Sequence, residues 1–284
     1  MPAATRLALG DLAIDVDRRT VVMGIVNVSH DSPVAHSVFA PDGARERALA
    51  LVRAGAAIID VGAQSTRTNG RPMTAQEEIE RVCPVIEALR AEGVPTSVDT
   101  WTSEVARAAA RSGVALLNDV TGLTDPAMVA VAAEFRLPAA VMHMRGAPQH
   151  HREVSQRYDD IAAEVQAFLL DRAQALEAAG TGQVWIDPGF GFAKSPQDNL
   201  ALLRALPALV ATGYPVLISA SRKGFLSELL GRGDRQDTEG LLEATVAFNT
   251  LAAAAGVHVV RVHDVAEVAD ALAVVNAVRA TAHA

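Results

Sequence analysis

The side chains best suited to chemistry in this chain recur at regular intervals. Asn27, Asp99, Asn118, His143, Asp187, Lys223, Arg261 and His263 each end or closely follow a short apolar run, and so does the segment Gln64, Ser65, Thr66 and Arg67. Asp99, Asn118 and Asp187 can pair with a flat ligand rich in N–H donors, because a carboxylate facing an amidine-like edge is the mirror image of the Arg–carboxylate fork. Lys223 and Arg261 can donate to ring carbonyls or to phosphate. Asn27, Arg67 and His263 add donors for an anion. The inventory suits a guanidine-like heterocycle that carries a phosphate or pyrophosphate. Among twenty-five Lys and Arg residues only Lys194 and Lys223 are lysines. Both lie in segments that look like active-site loops, where a compact point donor does what a rigid guanidinium fork cannot.

These residues need elements to bring them together. A helical stretch ends at a glycine, an apolar run follows, and the run ends in a polar residue. Gly55, Gly93, Gly113, Gly180, Gly213 and Gly256 precede six such runs. Two more, 21–27 and 138–143, complete a set of eight. Glycine accepts the left-handed conformation that terminates helices. A short apolar run bounded by turn signals reads as a strand buried on both faces, as in helix-covered parallel sheets. Between the runs, Thr74 and Glu77 form a capping box that opens a helix to about Glu92. Asp125-Pro126 marks another helix start, 161–179 and 241–255 read as long helices, and Asp264 can cap the last. Eight strands alternating with helices leave a closed barrel or an open doubly wound sheet. The count, and the polar residues at the strand ends, favour an α/β (β/α)8 TIM barrel. No Gly-x-Gly-x-x-Gly follows the first strand, which weakens a dinucleotide-binding fold. With no linker or composition shift, one domain over 1–284 fits best.

Composition sets outer bounds. Hydrophobic residues make up 50% of the 284 and aromatics only 4%, so the core must be aliphatic. A net charge of −8 and a pI near 5.5 argue against a nucleic-acid surface. The single cysteine, Cys83, rules out an internal disulfide or a cysteine metal site and reads as core packing on a helix. Residues 1–20 are polar and lack a signal-peptide core, and no run is long enough to span a membrane. The expectation is a cytoplasmic protein.

Eight segments, in order, carry a resemblance to the dihydropteroate synthase family. They are Met23-Gly24-Ile25-Val26-Asn27-Val28, Ser65-Thr66-Arg67, Ser97-Val98-Asp99-Thr100, Asn118-Asp119-Val120, Met142-His143-Met144-Arg145-Gly146, Asp187-Pro188-Gly189-Phe190-Gly191-Phe192, Ser221-Arg222-Lys223 and Arg261-Val262-His263-Asp264-Val265. The resemblance implies a (β/α)8 barrel that joins 6-hydroxymethyl-7,8-dihydropterin pyrophosphate to p-aminobenzoate and releases pyrophosphate. By the same resemblance Asp99, Asn118, Asp187 and Lys223 hold the pterin, and Met142 and Phe192 line its slot. Arg261 lies against the ring and reaches the phosphates. Thr66, Arg67 and His263 belong to the substrate site, with Arg67 and His263 on the pyrophosphate, and Asn27 helps coordinate Mg2+. Asp99, Lys223 and Arg261 are the implied catalytic residues, and a homodimer is the implied assembly.

The chain departs from the family's pattern mainly on the amine side. The loop phenylalanine that helps enclose p-aminobenzoate falls at Pro33, the second loop aspartate falls at Ala35, and two loop glycines are replaced by His36 and Ser37. A proline is lost at Thr68, a family glycine falls at Ser219 and a family serine at Gly224. These changes motivate two alternatives: a relative that binds the pterin but uses another acceptor, with His30 or His36 as candidates to replace the missing aspartate, or a pterin binder without turnover. A methyltetrahydrofolate methyltransferase is a third reading, disfavoured because methyl transfer needs no pyrophosphate pocket. Lys194 is expected to tie a loop through a salt bridge. His143 is divided between packing and ligand contact, Arg145 reads as structural, and His150-His151 resembles a metal pair but is disfavoured as one, because adjacent side chains face apart and no carboxylate spacing supports it.

Overall fold

Each apolar run becomes a strand, and the alternation of side chains along the strands decides where the site lies. The computed structural model describes residues 4–28, 41–64, 66, 73–151, 153–233 and 240–281. An antiparallel hairpin of β1 (Arg6–Leu9) and β2 (Leu12–Asp15) comes first. The parallel strands follow: β3 (Val21–Asn27), β4 (Ala56–Gly62), β5 (Thr96–Asp99), β6 (Leu116–Asp119), β7 (Ala139–Met142), β8 (Val184–Asp187), β9 (Leu217–Ile218) and β10 (Val259–Val262). They form one sheet in the order β8-β7-β6-β5-β4-β3-β10-β9. A parallel bridge between Ile186 and Val216 joins its two ends into a ring. The seventh run, read as 214–219, is regular over only two residues, and that bridge supplies the remaining closure. Around the ring lie α1 (Pro41–Arg53), α2 (Ala75–Ala91), α3 (Ser103–Ser112), α4 (Pro126–Glu134), α5 (Ile161–Ala178), α6 (Pro196–Val210), α7 (Gly224–Leu229), α8 (Leu242–Ala254) and α9 (Val265–Thr281). The architecture is the expected TIM barrel.

Two apolar clusters separate by strand parity, because successive side chains on a strand point to opposite faces. Ile59, Val98, Leu117, Val141, Ile186, Ile218 and Val260 face outward and pack with the helices. Met23, Ile58, Leu116, Ala140, Trp185, Leu217 and Val259 face inward and fill the barrel. Two residues further along the same inward face stand Asp60, Asn118, Met142, Asp187, Ser219 and Arg261. The site is thus the next layer above an aliphatic plug, at the C-terminal end of the strands.

The first twenty residues, read as merely polar, supply the floor of that plug. Leu7, Leu9 and Val16 are at most 1% exposed and belong to the interior cluster. Gln183 anchors the hairpin: its Oε1 accepts from the Ala8 amide at 2.8 Å and its Nε2 donates to the Arg6 carbonyl at 2.9 Å. Two four-residue strands, with two buried side chains in β1 and none in β2, leave little sequence signal.

Helix starts follow their sequence signals. Thr74 and Glu77 form the capping box of α2, and Asp125 caps α4 ahead of Pro126. Ser195 and Asp198 form a second box at α6. Cys83 is buried in α2 among aliphatics.

Helix α2 also buries an acid. Glu78 is 1% exposed, and among the described residues neither carboxylate oxygen has a hydrogen-bond partner of good geometry. Burial pushes its pKa up from 4.5 to about 7; the Thr100 side chain moderates the shift, and Asp99 adds to it. The folded state therefore holds a proton that the unfolded chain releases above about pH 4.5. Stability is full below that pH, declines through the interval up to about 7 and then levels off. Glu78→Gln, which mimics the neutral acid, should match the parent near pH 4 and exceed it at pH 8 by roughly 3 kcal/mol, at about 1.4 kcal/mol per unit. Urea unfolding at the two pH values tests this; an equal effect at both would refute the assignment.

Candidate active site

An arginine between two aspartates organises the centre of the mouth. The Arg261 Nε donates to Asp60 Oδ2 at 2.5 Å, and its terminal nitrogen donates to Asp99 Oδ2 at 2.7 Å. Asp60 is fully buried and accepts further hydrogen bonds from the Ser97 hydroxyl and from Asn118 Nδ2. One carboxylate below the site thereby orients both Asn118 and Arg261. Asp99 stands beside Asn118 in the β5–β6 register. Its Oδ2 is taken by Arg261, while its Oδ1 is buried with no partner among the described residues. Burial pushes the Asp99 carboxyl up to about 7, against the pull of Arg261 and with the help of Asp60 and Asp119.

Asp187 ends β8 opposite Met142 of β7. Its Oδ1 accepts from the Gly189 amide at 2.7 Å, and burial raises its pKa to about 6. Lys223 precedes α7, with its ammonium 3.8 Å from the centroid of the Phe192 ring. Burial, then Arg261, lower its pKa to about 8, while Asp187 and Asp99 draw the charge towards themselves. Met142, Phe192 and Val120 pack together, with Trp101 and Met144 against them. Polar groups with strong preferences for N–H and C=O partners thus stand around an apolar wall, an arrangement suited to a flat heterocycle.

His263 follows β10, where its Nδ1 lies 2.9 Å from the Ser221 hydroxyl and its backbone N–H donates to the same oxygen at 3.1 Å. Behind it, Arg222 forms a two-point pair with Asp264 at 2.8 Å. The Ser219 hydroxyl turns to the Arg261 carbonyl at 3.3 Å. Asn27 ends β3 and is partly buried, as is Thr66 after β4. Arg67, with Ser65, Thr68 and the segment carrying His30, Pro33, Ala35, His36 and Ser37, lies outside the described residues.

Five residues singled out by sequence, Lys194, His143, Arg145, His150 and His151, have structural surroundings. Among the described residues Lys194 makes no salt bridge, contrary to expectation: its buried ammonium is held by backbone carbonyls and His143. His143 is 5% exposed and packs edge-on to Phe168 at 5.1 Å. Arg145 stacks 3.7 Å over Tyr158 and pairs with Glu164 at 2.5 Å. The His150 Nδ1 meets Glu153 at 2.9 Å, and the His151 ring lies 5.3 Å from Phe192. Sequence reasoning missed Asp60, Trp101 and Val120. Asp60 was findable: it lies two residues beyond Ile58, on the same face.

Comparisons with known proteins agree with this geometry. A family model described as "Pterin binding enzyme" matches residues 23–263. The dihydropteroate synthase of Mycobacterium leprae is 44% identical over 262 residues, covering 90% of this chain and 92% of that protein. The Thermus thermophilus dihydropteroate synthase in complex with 4-aminobenzoate is 43% identical at a TM-score of 0.84, covering 96% of this chain and 99% of its own. The Burkholderia cenocepacia dihydropteroate synthase complexed with 7,8-dihydropteroate is 37% identical at a TM-score of 0.87, covering 100% and 99%. The chain belongs to the pterin-binding enzyme family, among the dihydropteroate synthases.

Proposed function

We propose that this chain condenses 6-hydroxymethyl-7,8-dihydropterin pyrophosphate with p-aminobenzoate and releases pyrophosphate. The observation that carries the reading is the convergence of Asp99, Asn118, Asp187 and Lys223 beside the Met142–Phe192 wall. Among the described residues, the buried Oδ1 of Asp99 is an acceptor without a donor. A buried acceptor of that kind is costly unless a ligand N–H completes it. Asp187 and Asn118 take further N–H groups of the pterin, and Lys223 donates to its carbonyl edge. Arg261 and His263, with Arg67, receive the pyrophosphate.

In the reaction the C–O bond to pyrophosphate breaks early and leaves a pterin-methyl cation. Asp99, held near the ring by Arg261, stabilises the growing positive charge, and Arg261 stabilises the departing anion. Both are preorganised electrostatic effects. The amine then attacks the methylene carbon, forming the C–N bond, and its excess N–H proton leaves to solvent. No enzyme nucleophile is required. The amide oxygen of Asn27 is a hard donor of the type Mg2+ accepts, and Mg2+ commonly completes its shell with phosphate oxygens and water. Asn27 would hold such an ion, which supplies neutralisation of the leaving pyrophosphate.

The direct test supplies Mg2+ and the pterin pyrophosphate, with and without p-aminobenzoate and a panel of other amines, and follows pyrophosphate and pterin products. Dihydropteroate formation is the expected result. Product only with another amine would favour the altered-acceptor reading that Pro33 and Ala35 suggest, and tight binding without product would favour a non-catalytic binder. The same assay has a pH signature. Binding needs Asp187 and Asp99 ionised, with pKa values held up to about 6 and 7, and Lys223 charged, with its value held down to about 8. The kcat/KM for the pterin substrate should fall below about pH 7 and again above about 8, a narrow bell set by the coupled groups. A flat profile from pH 5 to 9 would contradict these roles.

A second copy of the chain is the proposed partner. Leu251 on α8 and Val274 and Val278 on the adjacent α9 are 59%, 67% and 64% exposed, an apolar face suited to a dimer. Sedimentation should give a dimer that Val278→Glu weakens; a monomer at micromolar concentration would sink the proposal. Among the described residues no helix is long and apolar enough to cross a membrane, and a cytoplasmic setting goes with the reading.

A further inference from the structure

We propose that Lys194 is a positioning residue for the pterin slot, its ammonium acting as a cationic pin that gathers backbone carbonyls and fixes Phe192 and Asp187. The inference rests on the pterin reading and deepens it. Lys194 is 2% exposed. Its Nζ lies 3.0 Å from the Gly189 and Phe192 carbonyl oxygens, 3.1 Å from the His143 carbonyl oxygen and 3.0 Å from His143 Nδ1. These four acceptors come from the ends of two neighbouring strands, β7 and β8. Without the Lys194 amine, three carbonyl dipoles would converge on a space closed to water.

The pinned segment is the one that builds the slot. Asp187 is tied to it through the Gly189 amide. Phe192, whose carbonyl the pin holds, presents its ring to the Lys223 ammonium. The turn is close to its neighbour: a Cβ at Gly189, where φ is +69°, would lie 2.1 Å from the His143 carbonyl oxygen. Further bonds hold the rest of the turn, from the Gly191 amide to Asn199 Oδ1 at 2.8 Å and from the Tyr158 hydroxyl to the Ala193 carbonyl at 3.0 Å. Backbone bonds link these parts in pairs, from the His143 N–H to the Asp187 carbonyl at 2.9 Å and from the Phe192 N–H to the Gly189 carbonyl at 3.2 Å; the Lys194 amine binds all three at one point.

The chemistry tolerates either proton arrangement. Burial lowers the Lys194 pKa to about 7 and that of His143 to about 3. A charged Lys194 donates three protons, enough for the three carbonyls. A neutral one can accept from a protonated Nδ1 and donate to two. The cage is therefore matched to an ammonium-sized donor, and a small cation can stand in for the side chain where a larger one cannot.

The test compares the parent with Lys194→Met, Lys194→Gln and Lys194→Ala. Calorimetry gives the Kd of the pterin pyrophosphate, steady-state assays give the KM of p-aminobenzoate, and acrylamide quenching reads Trp101, which packs against the slot cluster. The other tryptophan, Trp185, is fully buried in the barrel floor. Lys194→Met should raise the Kd at least about tenfold while the p-aminobenzoate KM stays within about twofold, and should open Trp101 to quencher. Lys194→Gln, which keeps two donors, should lie between, and covers the case in which the methionine variant does not fold. Ammonium chloride should restore affinity and quencher protection to Lys194→Ala; tetramethylammonium chloride, too large for the cage, should not. An unchanged Kd in a folded variant, a parallel rise of both constants, or equal response to the two salts would overturn the inference. A parent that binds no pterin pyrophosphate would sink the functional reading instead, and the Trp101 quenching would still judge the pin.

Discussion

Arg261→Met should lose activity and stability together, and the two losses should separate on a second substitution. Arg261 is assigned to the pyrophosphate, so removing it takes away charge stabilisation that grows in the transition state. The kcat/KM for the pterin substrate should fall by about 10² to 10³. Arg261 is also the cationic partner of Asp60, which is fully buried. Breaking a buried pair from one side costs roughly 3–5 kcal/mol, because the other charge is left behind. Adding Asp60→Asn to Arg261→Met removes that stranded charge and keeps an amide in reach of Ser97 and Asn118. The double variant should regain most of the lost stability in urea unfolding and none of the lost activity. Recovery of activity along with stability would mean that Arg261 matters only for folding.

That network marks the limit of what the chain discloses on its own. Asp99, Asn118, Asp187 and Arg261 were legible because each closes an apolar run, and strand ends in a parallel barrel converge on one mouth. Asp60 was passed over because its run continues through Val61 to Gly62, so the strand's end appeared to lie at 64–67. Its role depends on parity: Ile58 faces the barrel interior, so Asp60 does too. The β1–β2 hairpin escaped for a different reason. Its two short strands are partly exposed and gain their order from contacts with Gln183, some 175 residues away. Lys194 escaped because charge reasoning looks for an acid, whereas its partners are backbone oxygens that leave no trace in residue type. Ser219 was legible as a departure from the family pattern; its turn towards the Arg261 carbonyl was not.

Lys223→Arg tests the assignment most sensitive to donor shape. The charge is kept, so a role that needs only a cation would survive. The surroundings favour a slim ammonium: a Cβ at Gly191 would sit 3.3 Å from the Lys223 Cδ, and the Phe192 ring lies directly under Nζ. A planar fork cannot place one nitrogen on the pterin carbonyl edge and keep its other donors clear of that ring. Losing a hydrogen bond to a charged group costs about 1.5–3 kcal/mol, so pterin pyrophosphate affinity should drop about ten- to a hundredfold. The variant should also change the pH profile. Burial brings the Lys223 pKa down to about 8, and that deprotonation sets the alkaline limb. A guanidinium stays charged throughout the range, so the residual kcat/KM should lose its fall above pH 8 and keep its fall on the acid side, where Asp99 and Asp187 take up protons. Unchanged affinity would refute the point-donor role. Weakened affinity with the alkaline limb intact would move that limb to another group and leave Lys223 as a shape-specific contact alone.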